Sequence, residues 1–471
     1  MEGAFLLHSC SINRSMLMTG MALLLACSLL NAADAVEMDE HYMEEPEFGA
    51  SVYVVEAGKE HRDSVVLVHG LGDAGSDDWS KVIPLLSKRY HVTAVDLPGF
   101  AKSEKGNHLY SPTRYANFLK WVVDRYSAYK DKRPVFMVGH SMGGAIVLRY
   151  ASMYPETLKK VVLVDAAGIL HRTAFMTSSV RHVSKMQRLK DMLGSSPKDL
   201  GKWLGDVIIS SEKIKLPVDS VLASPSMRSF FLRSNPSAIA ALALLQENFS
   251  SAIDQMSVPA SIIWGEDDGV APLRTGRLLH ARLNNSTLDI IRHSGHVPMN
   301  EQTTVFNKAL LHRLNTHNPK RTNVERPLVS NRRGICNSQN NMHFTGNYQS
   351  ISINECKGVK IENASVGKIL IEESVVEIND SRVSSDGVGI NIIGSRLLAT
   401  ALDIHASTGI LTSSSRLDLA GVSINSDKEA IESASGLDST VVVSVSRFQG
   451  AYFHGVYRLI KKQQSLTSSN Y

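Results

Sequence analysis

The chain has 471 residues, a formal net charge of +4, and 43% apolar against 20% charged residues. A single core rarely grows past ~250–300 residues, so at least two domains are expected. The near-balanced charge has no basic block able to track a phosphate backbone, which argues against nucleic acid as a partner, and the apolar fraction is that of ordinary globular material.

Residues 1–35 are set apart. Met16 to Leu30 is mostly apolar, follows Arg14, and is too short for a membrane span of ~20 residues, the pattern of an export signal. Two exits are open: Leu24-Leu25-Ala26-Cys27 resembles the lipobox of bacterial lipoproteins, with Leu25 where a smaller residue is commoner, and Ala33-Asp34-Ala35 is the small-x-small pattern of ordinary cleavage. A plain N-terminal membrane anchor is the third alternative. All three place the protein outside the cytoplasm: a periplasmic or cell-envelope lipoprotein anchored by a lipidated Cys27, or a secreted protein. Of four cysteines, Cys10 and Cys27 lie in this segment, leaving Cys336 and Cys356 either to form a disulfide or to stay as two buried thiols. No CxxC or Cys/His cluster suggests a metal, and no cofactor is expected.

Over 45–317, short β-branched runs alternate with amphipathic helical stretches, which predicts a parallel sheet covered on both faces. The strands are expected at Val65–His69, Val92–Asp96, Val135–Gly139, Val161–Asp165, Ala260–Trp264 and Thr287–Ile291. The helices are expected at Trp79–Arg89, Pro112–Tyr129, Met142–Met153, Pro272–Leu283 and Asn300–Leu314. Between about 168 and 258 the rhythm breaks into a helical insert, of the kind that caps the carboxyl edge of such a sheet and excludes water from a pocket; a purely structural insert is the alternative.

Residues 318–334 read as a linker, and beyond them, over 335–460, the composition turns to Ser, Asn, Asp and Gly with short Ile/Val/Leu alternations. Ser374, Ser395, Ser415 and Ser435 recur at steps of 21, 20 and 20, each followed two residues later by Val376, Leu397, Leu417 or Leu437. The same step links Val383, Ile404, Ile424 and Val445, and Ile369, Ile390, Ile410 and Ile431. A period held in several registers marks a solenoid, and period-2 alternation within each turn makes its elements strands. The pattern resembles a right-handed parallel β-helix. Asn363, Asn379 and Asn425 fall near turns, through either asparagine stacking or turn preference. Phe448, Tyr452, Phe453 and Tyr457 are expected to cap the stack.

Chemistry is carried by short motifs in the first domain. Val65 to Gly72 puts His69-Gly70 at the end of a buried strand, and Asp96-Leu97-Pro98-Gly99-Phe100-Ala101-Lys102-Ser103 follows the next one. Gly139-His140-Ser141-Met142-Gly143 sits between a buried strand and a helix, where small neighbours allow a strained serine backbone. Trp264-Gly265-Glu266-Asp267-Asp268 and Ser294-Gly295-His296-Val297-Pro298 close the last two strands.

In this order the motifs resemble the α/β-hydrolase superfamily, with Ala101 replacing the second glycine of its D-x-x-G-x-G-x-S loop. The resemblance implies an α/β fold, a doubly wound sheet with a helical cap, joined here to an all-β parallel β-helix. It further implies a triad of Ser141 as nucleophile, Asp268 as acid and His296 as general base, with the amides of Leu71 and Met142 as the oxyanion hole. Gly72 is a rival to Leu71, Asp267 and Asp165 to Asp268, and His293 to His296; His69 is expected to orient its loop. The function implied is an esterase or lipase-like hydrolase acting on a small-molecule or lipid ester. Two alternatives stand beside it: the same triad acting on a carbon–carbon or amide bond or in acyl transfer, and a protein whose β-helix binds a surface or polysaccharide.

Overall fold

The computed structural model describes residues 36–126, 133–171, 218–319, 330–434, 439–454 and 457–461, with the backbone alone after residue 450. The export segment, most of the first half of the insert and the middle of the linker lie outside the described residues.

Eight strands form the first sheet, in the order β1-β2-β4-β3-β5-β6-β7-β8. They are β1 (Met38–Glu45), β2 (Ala50–Ala57), β3 (Ser64–Val68), β4 (His91–Val95), β5 (Val135–His140), β6 (Leu158–Val164), β7 (Ala260–Gly265) and β8 (Ser286–Ile291). From β4 to β8 every pairing is parallel. The buried runs of β3, β5 and β7 are solidly apolar because helices cover both faces. All six expected strands are present. The antiparallel pair β1–β2 is additional, and it starts the sheet at Met38 rather than near residue 45.

The helices are α1 (Ile83–Leu86), α2 (Pro112–Tyr126), α3 (Met142–Met153), α4 (Val218–Ala223), α5 (Pro225–Leu232), α6 (Pro236–Gln246), α7 (Ser250–Asp254), α8 (Arg274–Arg282), α9 (Pro298–Glu301) and α10 (Thr303–Asn315). Two differ from expectation. The stretch 79–89 is a 3₁₀ turn, Gly75–Trp79, followed by the one-turn α1, because Pro84 donates no amide and its ring crowds the carbonyl four residues back. The helix expected at Asn300–Leu314 is broken at Gln302, which caps α9 and opens α10 in a non-helical conformation (φ −131°, ψ 49°).

Within the insert, α4 to α7 are helical as expected, and α5 is seated on the loop after β4. Arg228 donates to the side-chain and backbone oxygens of Asn107 at 3.0 and 2.9 Å, and Asn107 in turn donates to Pro225 O and Ser229 Oγ.

The second unit is a solenoid of ten parallel strands, β9 (Arg333–Asn337) to β18 (Tyr457–Lys461). Inward-facing columns run through successive coils: Ile351, Ile369, Ile390, Ile410 and Ile431 are in register, as are Val366, Val383, Ile404 and Ile424. A serine ladder explains the serine period. The Ser374, Ser395 and Ser415 amides donate to the hydroxyls of Ser395, Ser415 and Ser439 at 2.9 to 3.1 Å, and the first three hydroxyls each donate to the carbonyl two residues back.

The last coil is longer than its sequence period suggests. Leu417 pairs with Val441 and Ile424 with Phe448, so Ser439, Val441 and Phe448 occupy the places expected for Ser435, Leu437 and Val445. Ser435 and Leu437 themselves lie outside the described residues. Neither Asn363 nor Asn379 stacks on another asparagine: Asn363 turns a corner in the left-handed region (φ 50°), whereas Asn379 donates to Glu362 and Glu377; the asparagine rung that does form joins Asn354 to Asn337 on the preceding coil at 3.1 Å. Cys336 and Cys356 form a disulfide between neighbouring coils.

The linker and the solenoid are bound to the sheet more closely than expected. Asn318 donates to Ala260 O at 2.8 Å and Asn285 O at 3.1 Å, and the solenoid begins at Arg333. α8 lies against the solenoid: Arg274 makes two 3.1 Å hydrogen bonds to the Asp418 carboxylate, Arg277 pairs with Asp380, and Leu278 packs on Gly421. Ala420, Val442 and Val445 belong to the same buried cluster as Leu278 and the core of the first sheet.

Candidate active site

Three sharp turns at the carboxyl edge of the first sheet bring the site together, where a parallel sheet leaves a crevice. β5 ends in His140, and Ser141 follows with φ 53° and ψ −118°, a strained conformation for a residue with a side chain. Its neighbours must be small. A Cβ on Gly139 would lie 2.4 Å from Gly143 O, one on Gly143 2.4 Å from the carbonyls of Val68 and His69, and one on Gly144 2.7 Å from Ala166 Cβ.

Beyond β7, Asp268 is held by its own loop. Its Oδ1 accepts the amides of Val270 at 2.7 Å and Ala271 at 3.0 Å, and the Trp264 indole anchors the loop by donating to Ala271 O at 2.9 Å. Beyond β8, His296 is clasped from both sides. Glu301 accepts the amides of Gly295 at 2.5 Å and Val297 at 3.2 Å, and His140 Nε2 donates to the carbonyl of His296 at 2.8 Å. The two loops touch, since a Cβ on Gly265 would lie 1.9 Å from Gly295 O.

The three side chains meet in one line. His296 Nε2 lies 2.8 Å from Ser141 Oγ, and His296 Nδ1 lies 2.8 Å from Asp268 Oδ2. All three are buried. With Asp268 accepting from Nδ1–H, Nε2 is left unprotonated and facing the hydroxyl, the tautomer a general base needs.

The rivals lie elsewhere. Asp267 and His293 are exposed, the latter on a left-handed turn (φ 55°), whereas Asp165 is buried beside Asp268 and does not take the histidine. Gly70 packs on the nucleophile: a Cβ there would lie 3.0 Å from Ser141 Cβ. This contact brings the loop carrying Leu71 beside Met142, the first residue of α3, whose amide has no partner within the helix. His69 is fully buried; its Nδ1 donates to Gly70 O at 2.7 Å and its Nε2 accepts Leu97 N at 2.9 Å, so it orients the loop as expected. Ala101 adopts φ 46°, the left-handed conformation its glycine counterpart would take freely.

Sequence reasoning missed two supports. His140 is pushed down to about 3 by burial and stays neutral, and Glu301 sits one helical turn past the base. Burial raises Asp78, which faces His140 Nδ1 at 3.9 Å. Signals existed in hindsight: the variable position of G-x-S-x-G is a donor, and an acid follows G-H-x-P on the first turn of a helix.

Residues 63–302 match the family model of the alpha/beta hydrolase fold. An uncharacterised hydrolase of Bacillus subtilis, YugF, is 30% identical over 269 residues, 55% of this chain and 93% of that protein. The monoacylglycerol lipase ABHD6 of Rattus norvegicus is 26% identical, over 55% of this chain and 77% of the lipase. A 2-hydroxy-6-oxononadienedioate/2-hydroxy-6-oxononatrienedioate hydrolase of Pseudomonas putida is 25% identical, over 54% of this chain and 88% of that enzyme.

Proposed function

The chain belongs to the α/β-hydrolase fold family, and we propose that it is an exported serine hydrolase that cleaves a carboxylic ester through an acyl-enzyme on Ser141. The observation that carries this reading is the unbroken line from Ser141 Oγ through His296 to Asp268, 2.8 Å at each step. His296 Nε2 removes the hydroxyl proton as Oγ attacks the ester carbon, and the carbonyl oxygen becomes an alkoxide facing the amides of Leu71 and Met142. Asp268 stays ionised and stabilises the imidazolium; it takes no proton. As the intermediate collapses, His296 returns the proton to the departing alcohol. Water activated by the same nitrogen then cleaves the acyl-enzyme.

A series of p-nitrophenyl esters of increasing acyl length, hydrolysed by wild type and Ser141→Ala, tests the assignment. Turnover is expected to fall at least ~10³-fold in the variant. Equal turnover in the two would sink it. Since relatives named for a monoacylglycerol and for a hydroxy-oxo dienedioate are similar in identity, a vinylogous diketo acid belongs in the same panel. Export through residues 1–35 and contact of the solenoid with polysaccharide or envelope complete the proposal; retention of the protein on insoluble glycans is the readout for the second.

A further inference from the structure

Asp165 ends β6 with φ 44° and is fully buried, directly behind the acid of the site. One of its oxygens, one of Asp268 and a ring nitrogen of His296 lie within 4.8 Å of one another. Asp165 Oδ1 accepts Gly265 N at 2.9 Å; Asp268 Oδ1 accepts two backbone amides, and Asp268 Oδ2 takes the histidine. Asp165 Oδ2 is buried with no donor at all, and it belongs to a carboxyl in side-chain contact with the Asp268 carboxylate.

Two ionised carboxylates held in contact in a buried site repel each other too strongly to be a stable arrangement. The triad carboxylate is the better solvated of the two, with two amides and an imidazole. A proton on Asp165 Oδ2 resolves both faults at once, turning an orphaned acceptor into a donor.

We propose that Asp165 is a positioning residue: a neutral carboxylic acid whose hydroxyl donates a hydrogen bond to Asp268, holding that carboxylate in line with His296 and drawing off part of its charge. The inference rests on the triad assigned above. Burial, then the negative charge of Asp268, hold the Asp165 carboxyl well above the ordinary carboxylate range, with Glu301 adding to the same direction. The Gly265 amide opposes them. His296 and, behind it, neutral His140 are the neighbouring histidines, with Asp78 3.9 Å from His140 Nδ1.

The test uses the full-length protein with Asp165→Asn and Asp165→Leu. At neutral pH, infrared spectra of the wild type are expected to show the carbonyl band of a protonated carboxylic acid that is missing in Asp165→Asn; this readout needs no turnover, so it survives failure of the ester reading. Asparagine keeps both the acceptor for Gly265 and a donor for Asp268, so kcat/KM should stay within about threefold and the acid limb of its pH profile should not move. Leucine removes the donor and leaves more charge on Asp268 to stabilise the imidazolium, so that limb should rise by roughly half a pH unit. Absence of the band would overturn the proposal. So would a fall of the limb by about one unit in Asp165→Asn, the response to losing a full negative charge.

Discussion

The pair Arg274–Asp418 is where the solenoid and the first domain are predicted to share one fate. Asp418→Ala would leave the Arg274 guanidinium, 8% exposed, without the carboxylate that receives two of its N–H groups. Two charge-assisted hydrogen bonds in a buried pair are worth ~3–6 kcal/mol together, and stripping one partner from a buried pair costs ~3–5 kcal/mol. Thr400 Oγ1 at 3.2 Å and Ala399 O at 3.4 Å still accept from the guanidinium, which places the loss at the lower end, about 3 kcal/mol. In calorimetry this should appear as one unfolding transition lowered by roughly 3 °C, because a body of this size unfolding as one has a large unfolding entropy, and nearly independent of salt because the pair is shielded from counterions. The double variant Arg274→Met/Asp418→Leu should recover most of it, since apolar replacement removes the stranded charge. Turnover should fall about tenfold in Asp418→Ala, because α8 opens with Arg274 in the same loop-to-helix passage that carries Asp268. A wild-type melting curve for Asp418→Ala, or two separate transitions in the wild type, would refute the idea that the units unfold together.

Gly143→Ala should abolish turnover, because its Cβ meets two backbone carbonyls that have no room to retreat; esterase assay and circular dichroism read the loss of site and of fold. His140 sets a pH dependence of stability with a definite sign. Its folded pKa, about 3, lies below its ordinary 6.5, so as pH falls below 6.5 the unfolded chain binds the proton first and stability is lost, by ~2 kcal/mol at pH 5 and more down to pH 3. The variant His140→Asn keeps a donor for the His296 carbonyl without the titration, and urea unfolding from pH 7 to 4 should be measurably flatter in it than in the wild type. Replacing Cys336 and Cys356 by alanine opens a loop of 20 residues and should cost about 3 kcal/mol, seen first as faster hydrogen exchange in β9 and in the next strand, His343–Asn354.

The line from Ser141 through His296 to Asp268 was legible because each of its turns obeys a local rule. A serine between glycines after an apolar run, an acid four residues past the tryptophan of a Trp-Gly strand end, and a Gly-His-x-Pro loop are patterns written in adjacent residues. The solenoid was legible for a similar reason: its period repeats the same local geometry. What escaped was decided across the fold. β1 is an edge strand of mostly exposed polar residues, so it has no apolar alternation to announce it, and only pairing with β2 makes it a strand. The last coil departs from its step of about twenty residues, and Ser439 takes up the ladder that arithmetic assigned to Ser435. His140 acts through a partner on another loop, which no spacing records, whereas Glu301 reaches back to amides four and six residues before it.

The three arms of the site are supported by different physics, and this orders their sensitivity. The nucleophile is set by backbone strain and close glycine contacts, which tolerate almost no change but depend on nothing distant. The base is set by hydrogen bonds from Glu301 and His140, each removable singly. The acid arm runs outward into a second structural unit, through α8 and the Arg274–Asp418 pair to the coils of the solenoid. The solenoid also meets the segment after β6 that is hydrogen-bonded to Ser141: Ala167 N donates to Ser141 O at 3.1 Å, and four residues later His171 N donates to Ser444 Oγ at 2.9 Å. Within so short a span of chain, the solenoid borders the site as well as bracing it. Substitutions on its docking face, remote from the chemistry in sequence, should therefore change kcat, whereas those on its opposite face should leave kcat alone.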